Sequence, residues 1–406
     1  MKVILDGAYG FNNVGDEAML HTTIGFLRRI RPGIGISVSS FNSENIKDLH
    51  GVEGTDALLP GALLRNLKAL RFGAIREQFG VFRSSDVLFF AGGSILNDKK
   101  GLRDIAVIFY KVSIFVLLRK KVVFWGVAYD QVDSFFAKAM IKFVMRKSSL
   151  VLFRDQRSEE MVVSQLGRFQ HVGTGVDILF GMLPLIKRKV SSSSICNKAA
   201  CRIGLSLRPY PPNIGFDLEG LDASLCEQVV DYIQLLSDRI DRPVVIVPLI
   251  FSDGGDARND RGLIARIESM LDDYQFEWPR LDVTSCRDGG FGRLLSDFCE
   301  NIGNLDLVVG ERFHSLVIAQ MLEVPYIAIS YDKKIDQLVK SLKMEAYSVN
   351  LLESIAERSI CSQLLVMTER ALSGGFDLEK KLSMNNNLLE KQSKDAEESV
   401  LSAFEL

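Results

Sequence analysis

NLDLVVGERFHSLVIAQMLEVPYIAISYDKK, residues 304–334, is the stretch that decides the fold. Residues 305–309 are a short apolar run ending at Gly310, residues 313–322 carry apolar side chains at helical spacing, and residues 325–330 are apolar again. The pattern predicts a strand, helix, strand unit whose first turn holds Glu311, Arg312 and His314. In open α/β sheets, ligands sit at the carboxyl edge of the strands, and the free N–H groups of a helix start favour an anion there. A permanent cation and a titratable imidazole at that edge point to an anionic substrate.

The same alternation recurs upstream. Residues 202–207, 244–249 and 281–283 read as strands, and residues 224–240, 262–271 and 291–302 as helices. Nearer the N-terminus, residues 3–5 form a strand that runs into the loop GAYGFNNVG (residues 7–15) and then a helix over 16–30. Strands at 86–91, 122–125 and 150–153 end respectively in Gly92-Gly93-Ser94, Gly126-Val127-Ala128 and Arg154-Asp155. Strand ends rich in glycine or polar residues, separated by helices, predict mostly parallel, doubly wound α/β sheets. KRKVSSSSICNKAA, residues 187–200, is basic, serine-rich and aperiodic, as a linker is. The expected organisation is an N-terminal domain over 1–186, that linker, a C-terminal domain over 201–345 facing the first across a cleft, and a helical segment over 346–406. The last is charged enough to be surface or partly disordered.

Composition narrows the function. A chain of 406 residues, 47% hydrophobic, can bury two cores. A net charge of −2 gives no global field for nucleic acid. Six cysteines without a CxxC pair and four histidines argue against zinc and for a reducing compartment, and the DxDxDG spacing of a calcium loop is absent. No metal is expected. MKVIL leads straight into the first strand, which is no secretory signal, and the most apolar window, residues 105–118, contains Lys111 and is too short to span a bilayer. A soluble cytoplasmic protein is expected. In LLRNLKALRFGAIR, residues 63–76, Arg65, Lys68 and Arg71 recur at spacing three among leucines, which predicts a basic amphipathic helix that is either an ordinary solvated one or in peripheral contact with the inner face of an anionic membrane. Oligomeric state does not follow from the sequence.

The glycines of the first loop fall at 7, 10 and 15, which fits neither GxGxxG nor GxxxxGK[ST] and argues against NAD or ATP. Such a loop can still bring backbone N–H groups close to a ligand. Asp16 and Glu17 either complement the helix dipole or touch the ligand, and Ser94 either caps a helix or binds.

Five segments in order resemble the motifs of the polysaccharide pyruvyl transferases: GAYGFNNVGDEAML, AGGSILND, FRDQRSEEMV with GVDILF, GLSLRPY, and ERFHSLVIAQMLEVPYIAISYDKKIDQLV. The likeness runs collinearly from about residue 5 to 345 and departs at Gly126-Val127-Ala128-Tyr129, where the family has a glycine-proline turn. It implies two Rossmann-like domains in a GT-B-like fold, and transfer of pyruvate from phosphoenolpyruvate to two hydroxyls of a glycan or lipid-linked sugar. The product is a cyclic ketal of cell-surface or exopolysaccharide biosynthesis, made without a further cofactor. Phosphoenolpyruvate carries a carboxylate and a phosphate, and guanidinium groups suit both. On this likeness Arg208 and Arg312 bind the donor and His314 beside them moves protons, though by residue type alone either arginine could form a structural salt bridge, and Lys333 or Lys334 either touches the phosphate or is a solvated lysine after the strand. Gly10, Asn13, Gly15, Asp16, Glu17, Gly93, Ser94 and Asp98 then face the acceptor. Asp253, Asp256 and Asp260 in the loop FSDGGDARND, residues 251–260, are alternative carboxylates or a solvated loop, and the choice of base stays open. Two rivals share the architecture: a glycosyltransferase using a nucleotide sugar, and a non-catalytic sugar-binding relative.

Overall fold

The computed structural model describes residues 1–40, 42–56, 58, 72–98, 101–190, 199–210, 218–253, 259–279, 283 and 286–405. Among them, two all-parallel sheets form. The first contains β1 (Lys2–Asp6), β2 (Gly35–Ser39), β3 (Glu53–Thr55), β4 (Val87–Ala91), β5 (Lys121–Val127), β6 (Leu150–Phe153) and β7 (Val172–Thr174), in the order β3-β2-β1-β4-β5-β6-β7. The second contains β8 (Cys201–Ser206), β9 (Val244–Pro248), β10 (Gln275–Phe276), β11 (Leu307–Gly310), β12 (Tyr326–Ser330) and β13 (Ser348–Asn350), in the order β10-β9-β8-β11-β12-β13. Strands such as VLFFA and VVIVP are apolar throughout because helices cover both faces of a parallel sheet, and every residue of β4 and β9 is buried. Strand order reverses beside β1 in one sheet and beside β8 in the other, so each has a switch point, β1/β4 and β8/β11. The expected pair of doubly wound domains is what forms.

Three details differ from the sequence reading. Short strands at or near the sheet edges, such as β2, β3 and β13, carry too few apolar residues to declare themselves. Residues 275–276 supply the edge strand β10, which sequence did not mark, and of the strand expected over 281–283, Leu281 and Asp282 lie outside the described residues. The helix Leu183–Val190 also runs into the front of the expected linker, of which residues 191–198 lie outside the described residues. Arg65, Lys68 and Arg71 lie outside them too.

The helix Gly375–Glu405 corrects the expectation of a peripheral tail. It buries Leu382, Asn386, Leu389, Ser393, Ala396, Val400 and Ala403 along one stripe. Gln320 of the second domain donates to Leu382 O (2.9 Å) and Asn386 Oδ1 (3.1 Å). Farther along, Arg29 of the first domain pairs with Glu397 at 2.8 Å, and Lys121 donates to Phe404 O at 3.2 Å. The helix therefore straps both domains together. Its charged residues made it look exposed, while the buried stripe repeats at alternating spacings of three and four, interrupted by Asn386 and Ser393. Nearer the cleft, the Val14 N–H donates to Phe251 O and the Gly289 N–H to Asp48 O, both at 2.9 Å. Among the described residues, no helix is long and apolar enough to cross a membrane.

Candidate active site

Parallel pairing places Ser206, the last residue of β8, opposite Gly310, the last of β11. Arg208 and Arg312 each lie two residues beyond, so both leave the sheet at the switch point of the second domain, as the strand-exit reading requires. The Arg208 guanidinium donates to the Tyr331 hydroxyl (2.6 Å) and stacks 4.8 Å from that ring's centre. Its backbone N–H donates to Glu311 Oε2 at 3.0 Å. Glu311 is fully buried, and that burial lifts its carboxyl to about 8, against the pull of the Arg208 N–H and charge.

Arg312 is engaged more deeply than a free oxyanion ligand would be. Both Nε (3.0 Å) and Nη2 donate to the carboxylate of Asp260, a residue with no exposed surface. Asp260 also accepts the N–H groups of Phe251 (3.2 Å) and Ser252 (3.0 Å). The aspartates of FSDGGDARND read as alternative sugar ligands or a solvated loop, but Asp260 is neither: it anchors Arg312. Asp256 lies outside the described residues, and Asp253 pairs with Arg261 at 3.0 Å.

His314 opens the helix Phe313–Met321, and its ring lies directly on Gly15 of the first domain. A Cβ at position 15 would overlap Nδ1 and come within 2.6 Å of Cγ. Nε2 makes no hydrogen bond and stands 3.9 Å from Asp177 Oδ2, itself without one. Burial, then the charges of Arg154, Lys334 and Arg312, push the imidazole down to about 3. Sequence reasoning expects a group titrating near neutrality; burial and three nearby cations lower this one instead. Burial lowers His21 to about 4 in the same way. In the unfolded chain both titrate near 6.5, so below that pH the unfolded state binds more protons and stability falls as pH drops from about 6.5 toward 3. Urea midpoints measured across that range should fall, and the fall should shrink in a His314→Asn variant.

The first domain supplies a cation that sequence reasoning left unassigned. Arg154, just beyond β6, donates to Ser94 Oγ at 3.0 Å, stacks 4.6 Å from the ring of Phe313 in the other domain, and lies 4.0 Å from Asp177 Oδ2. It lines both a cavity of about 500 Å³, shared with Asp177, Phe313 and Lys334, and a neighbouring one of about 190 Å³ that reaches Ser94 and Tyr129. Lys334 lines both and sits 5.6 Å over the Tyr331 ring, whereas Lys333 is exposed and lines neither. Of the two lysines left open by sequence, Lys334 faces the crevice. The signal for Arg154 and Asp177 was present in FRDQRSEEMV and GVDILF, but nothing local distinguished them from helix-capping residues.

The acceptor-side residues divide. Gly10 adopts φ +86°, and its N–H donates to Glu17 Oε1 at 2.7 Å. Glu17 has no exposed surface and spends its other oxygen on His50 Nε2 at 2.9 Å. It holds the glycine loop in shape and is not available to a sugar, which corrects that assignment. Asn13 caps the helix Val14–Ile30 through the N–H groups of Gly15 and Asp16, the helix that half-buried Asp16 opens. Asp98 accepts the N–H groups of Asp133 and Ser134, both at 3.0 Å, and so ties two loops together. Gly93 takes φ +85°, and Ser94 is exposed on the smaller cavity. Among the described residues, no group of three or more His, Cys, Asp or Glu could hold a metal ion.

Several solved structures share the fold. The UDP-GlcNAc 2-epimerase from Neisseria meningitidis, bound to UDP-GlcNAc, superposes with a TM-score of 0.59 at 11% identity, covering 99% of this chain and 100% of that one. The UDP-GlcNAc 2-epimerase from Methanocaldococcus jannaschii gives 0.52 at 11% identity, covering 91% and 92%. Both support the GT-B-like arrangement of two Rossmann-like domains and, at that identity, the fold alone. No curated protein matches the chain. The family model for polysaccharide pyruvyl transferases matches residues 13–333, which include the last three residues of the glycine loop, Arg154, Asp177, Arg208, Arg312 and His314. With the greater part of its length so matched, this chain belongs to the polysaccharide pyruvyl transferase family.

Proposed function

We infer that the protein transfers pyruvate from phosphoenolpyruvate to two hydroxyls of a glycan or lipid-linked sugar as a cyclic ketal. The observation that carries the reading is the approach of cations from both domains: Arg154 from one and Lys334 from the other line the same cavity, and Arg208 shares the ring of Tyr331 with Lys334. In the net reaction the methylene carbon gains a proton, and the central carbon gains two bonds to acceptor oxygens and loses phosphate. Of the two hydroxyl protons, one balances the new methyl group and the other leaves with phosphate.

Each group has a role that follows from its surroundings. Arg208, oriented by Tyr331, and Lys334 offer positive charge to the donor's oxyanions. Arg312 is held rigid by Asp260 and adds field at the same strand exit. Cations depress His314, so a bound polyanion offsets them and raises the basicity of the imidazole. The base is thereby made by substrate binding. Asp177, 3.9 Å from Nε2, is the carboxyl placed to orient the ring.

Phosphoenolpyruvate should raise the melting temperature of the protein, and Arg208→Ala should reduce that shift strongly while leaving the unliganded melting temperature nearly unchanged, because the backbone N–H to Glu311 survives. The rival nucleotide-sugar reading, for which the UDP-GlcNAc-bound epimerase is the fold precedent, requires a shift with a UDP-sugar and none with phosphoenolpyruvate.

A further inference from the structure

The most apolar window of the sequence, residues 105–118, forms most of the helix Leu102–Leu117, which packs beside the helix Phe135–Lys147 on the outer layer of the first domain. The second helix buries Ala137, Ile141, Val144 and Met145 and turns Phe135 and Phe136 outward, 78% and 68% exposed. Leu102 (40%) and Leu117 (81%) extend the apolar surface along the first helix. Rings of this size ordinarily end up inside a protein, and several on one face mark an interaction surface.

The charges around them name the partner. The helix Phe135–Lys147 carries Lys138, Lys142, Arg146 and Lys147 and not one acidic residue. None of these four is ion-paired among the described residues. Arg119 and Lys120 follow the end of the neighbouring helix, and Lys120 alone has a salt bridge, to Asp86 at 3.7 Å. Asp104, Asp130 and Asp133 are the acids nearest this face in sequence, and Asp130 is partly neutralised by Arg157 at 3.7 Å. Exposed phenylalanines flanked by unpaired cations suit a surface that offers anionic headgroups over hydrocarbon.

We propose that this face, led by Phe135 and Phe136, docks the protein peripherally on an anionic lipid bilayer. Docking does not depend on the chemistry performed in the crevice, but the two are adjacent. Asp98 accepts the Ser134 N–H next to Phe135, while Asn97 and Ser94 on the same loop line the smaller cavity. A membrane-seated molecule would present that opening to the headgroup layer, where lipid-linked sugars reside. The latter consequence rests on the transfer reading above.

The full chain should float with vesicles of phosphatidylcholine and phosphatidylglycerol, not with phosphatidylcholine alone, and should be released by high salt. Phe135→Ser with Phe136→Ser should cut partitioning by roughly tenfold or more, as expected for keeping two rings out of an apolar phase. Lys142→Glu with Arg146→Glu should weaken it by about fivefold per cation. Phe135, Phe136 and Arg146 are exposed and Lys142 is half-buried, so melting temperatures should stay close to the parent's, and Met384→Ser, an exposed apolar side chain on the remote C-terminal helix, should change nothing. Absence of flotation with anionic vesicles overturns the proposal, as does undiminished flotation of the double serine variant. A parent dimer that the serine substitutions convert to monomer, with no vesicle binding by either, overturns it in favour of a second copy on this face. Phosphate release with a soluble acceptor separates this outcome from failure of the transfer reading, since the serine variant should turn such an acceptor over at the parent rate.

Discussion

Replacing Arg312 with alanine is expected to destabilise the protein by about 3–5 kcal/mol as well as to abolish transfer. The size follows from what is left behind. Asp260 has no exposed surface, and Arg312 is its partner through two guanidinium nitrogens. Removing one member of a buried pair strands the other charge, which costs far more than the pair itself contributes. The stranded carboxylate can escape by taking a proton, and burial already raises its pKa. With a folded pKa above the unfolded one, the folded state binds more protons in between, so the variant should lose stability as pH rises through that window. Urea unfolding at pH 5 and pH 8 checks the sign. Adding Asp260→Asn should restore much of the stability, because an amide oxygen still accepts the N–H groups of Phe251 and Ser252 without a charge. It should restore no activity. Loss of activity with full stability in Arg312→Ala would mean that the ion pair does not hold this strand exit together.

Gly15→Ala should produce the converse result, a protein whose domains fold but whose site does not close. Position 15 lies in the first turn of a helix at negative φ, where alanine is favoured over glycine by about 1 kcal/mol. Against that, its methyl group would overlap the imidazole of His314, and overpacking of this kind costs about 1–3 kcal/mol. The ring is hemmed in, with Gly15 against it and Asp177 Oδ2 3.9 Å from its Nε2. The two domains must separate slightly, and with them Arg154 from Lys334. Transfer should fall by roughly a hundredfold or more, the scale on which small misplacements act on catalysis. A second substitution, His314→Ala, should relieve the overlap and recover the melting temperature while activity stays lost. Near-normal turnover in Gly15→Ala would show that the close contact is not part of the working site.

The two substitutions also mark where the sequence stopped being readable. The unit at residues 304–334 declared its strand, helix and strand because central parallel strands are apolar on both faces, and Arg208 and Arg312 could be placed at one sheet edge from topology alone. What Arg312 does with its guanidinium could not be read, because its partner is 52 residues away and was disguised in a loop of aspartates that looked solvated. Glu17 was misread for a related reason. Its position in the first helical turn suits a dipole-compensating carboxylate, and only the fold brings His50 against it. The lowered pKa of His314 likewise depends first on burial and then on Arg154 and Lys334, which arrive from different domains. The buried stripe of the last helix was present in the spacing but hidden by polar residues at two of its positions. Local structure follows from local pattern, whereas pairing and protonation belong to the assembled interface.

The most direct measurement is the mass of the product when the protein is supplied with phosphoenolpyruvate and a panel of oligosaccharide and lipid-linked acceptors. The account predicts that one acceptor gains pyruvic acid less one water, with one phosphate released for each ketal, and that His314→Ala makes none. Transfer of a sugar from a nucleotide donor, with phosphoenolpyruvate left unconsumed across the panel, would contradict it.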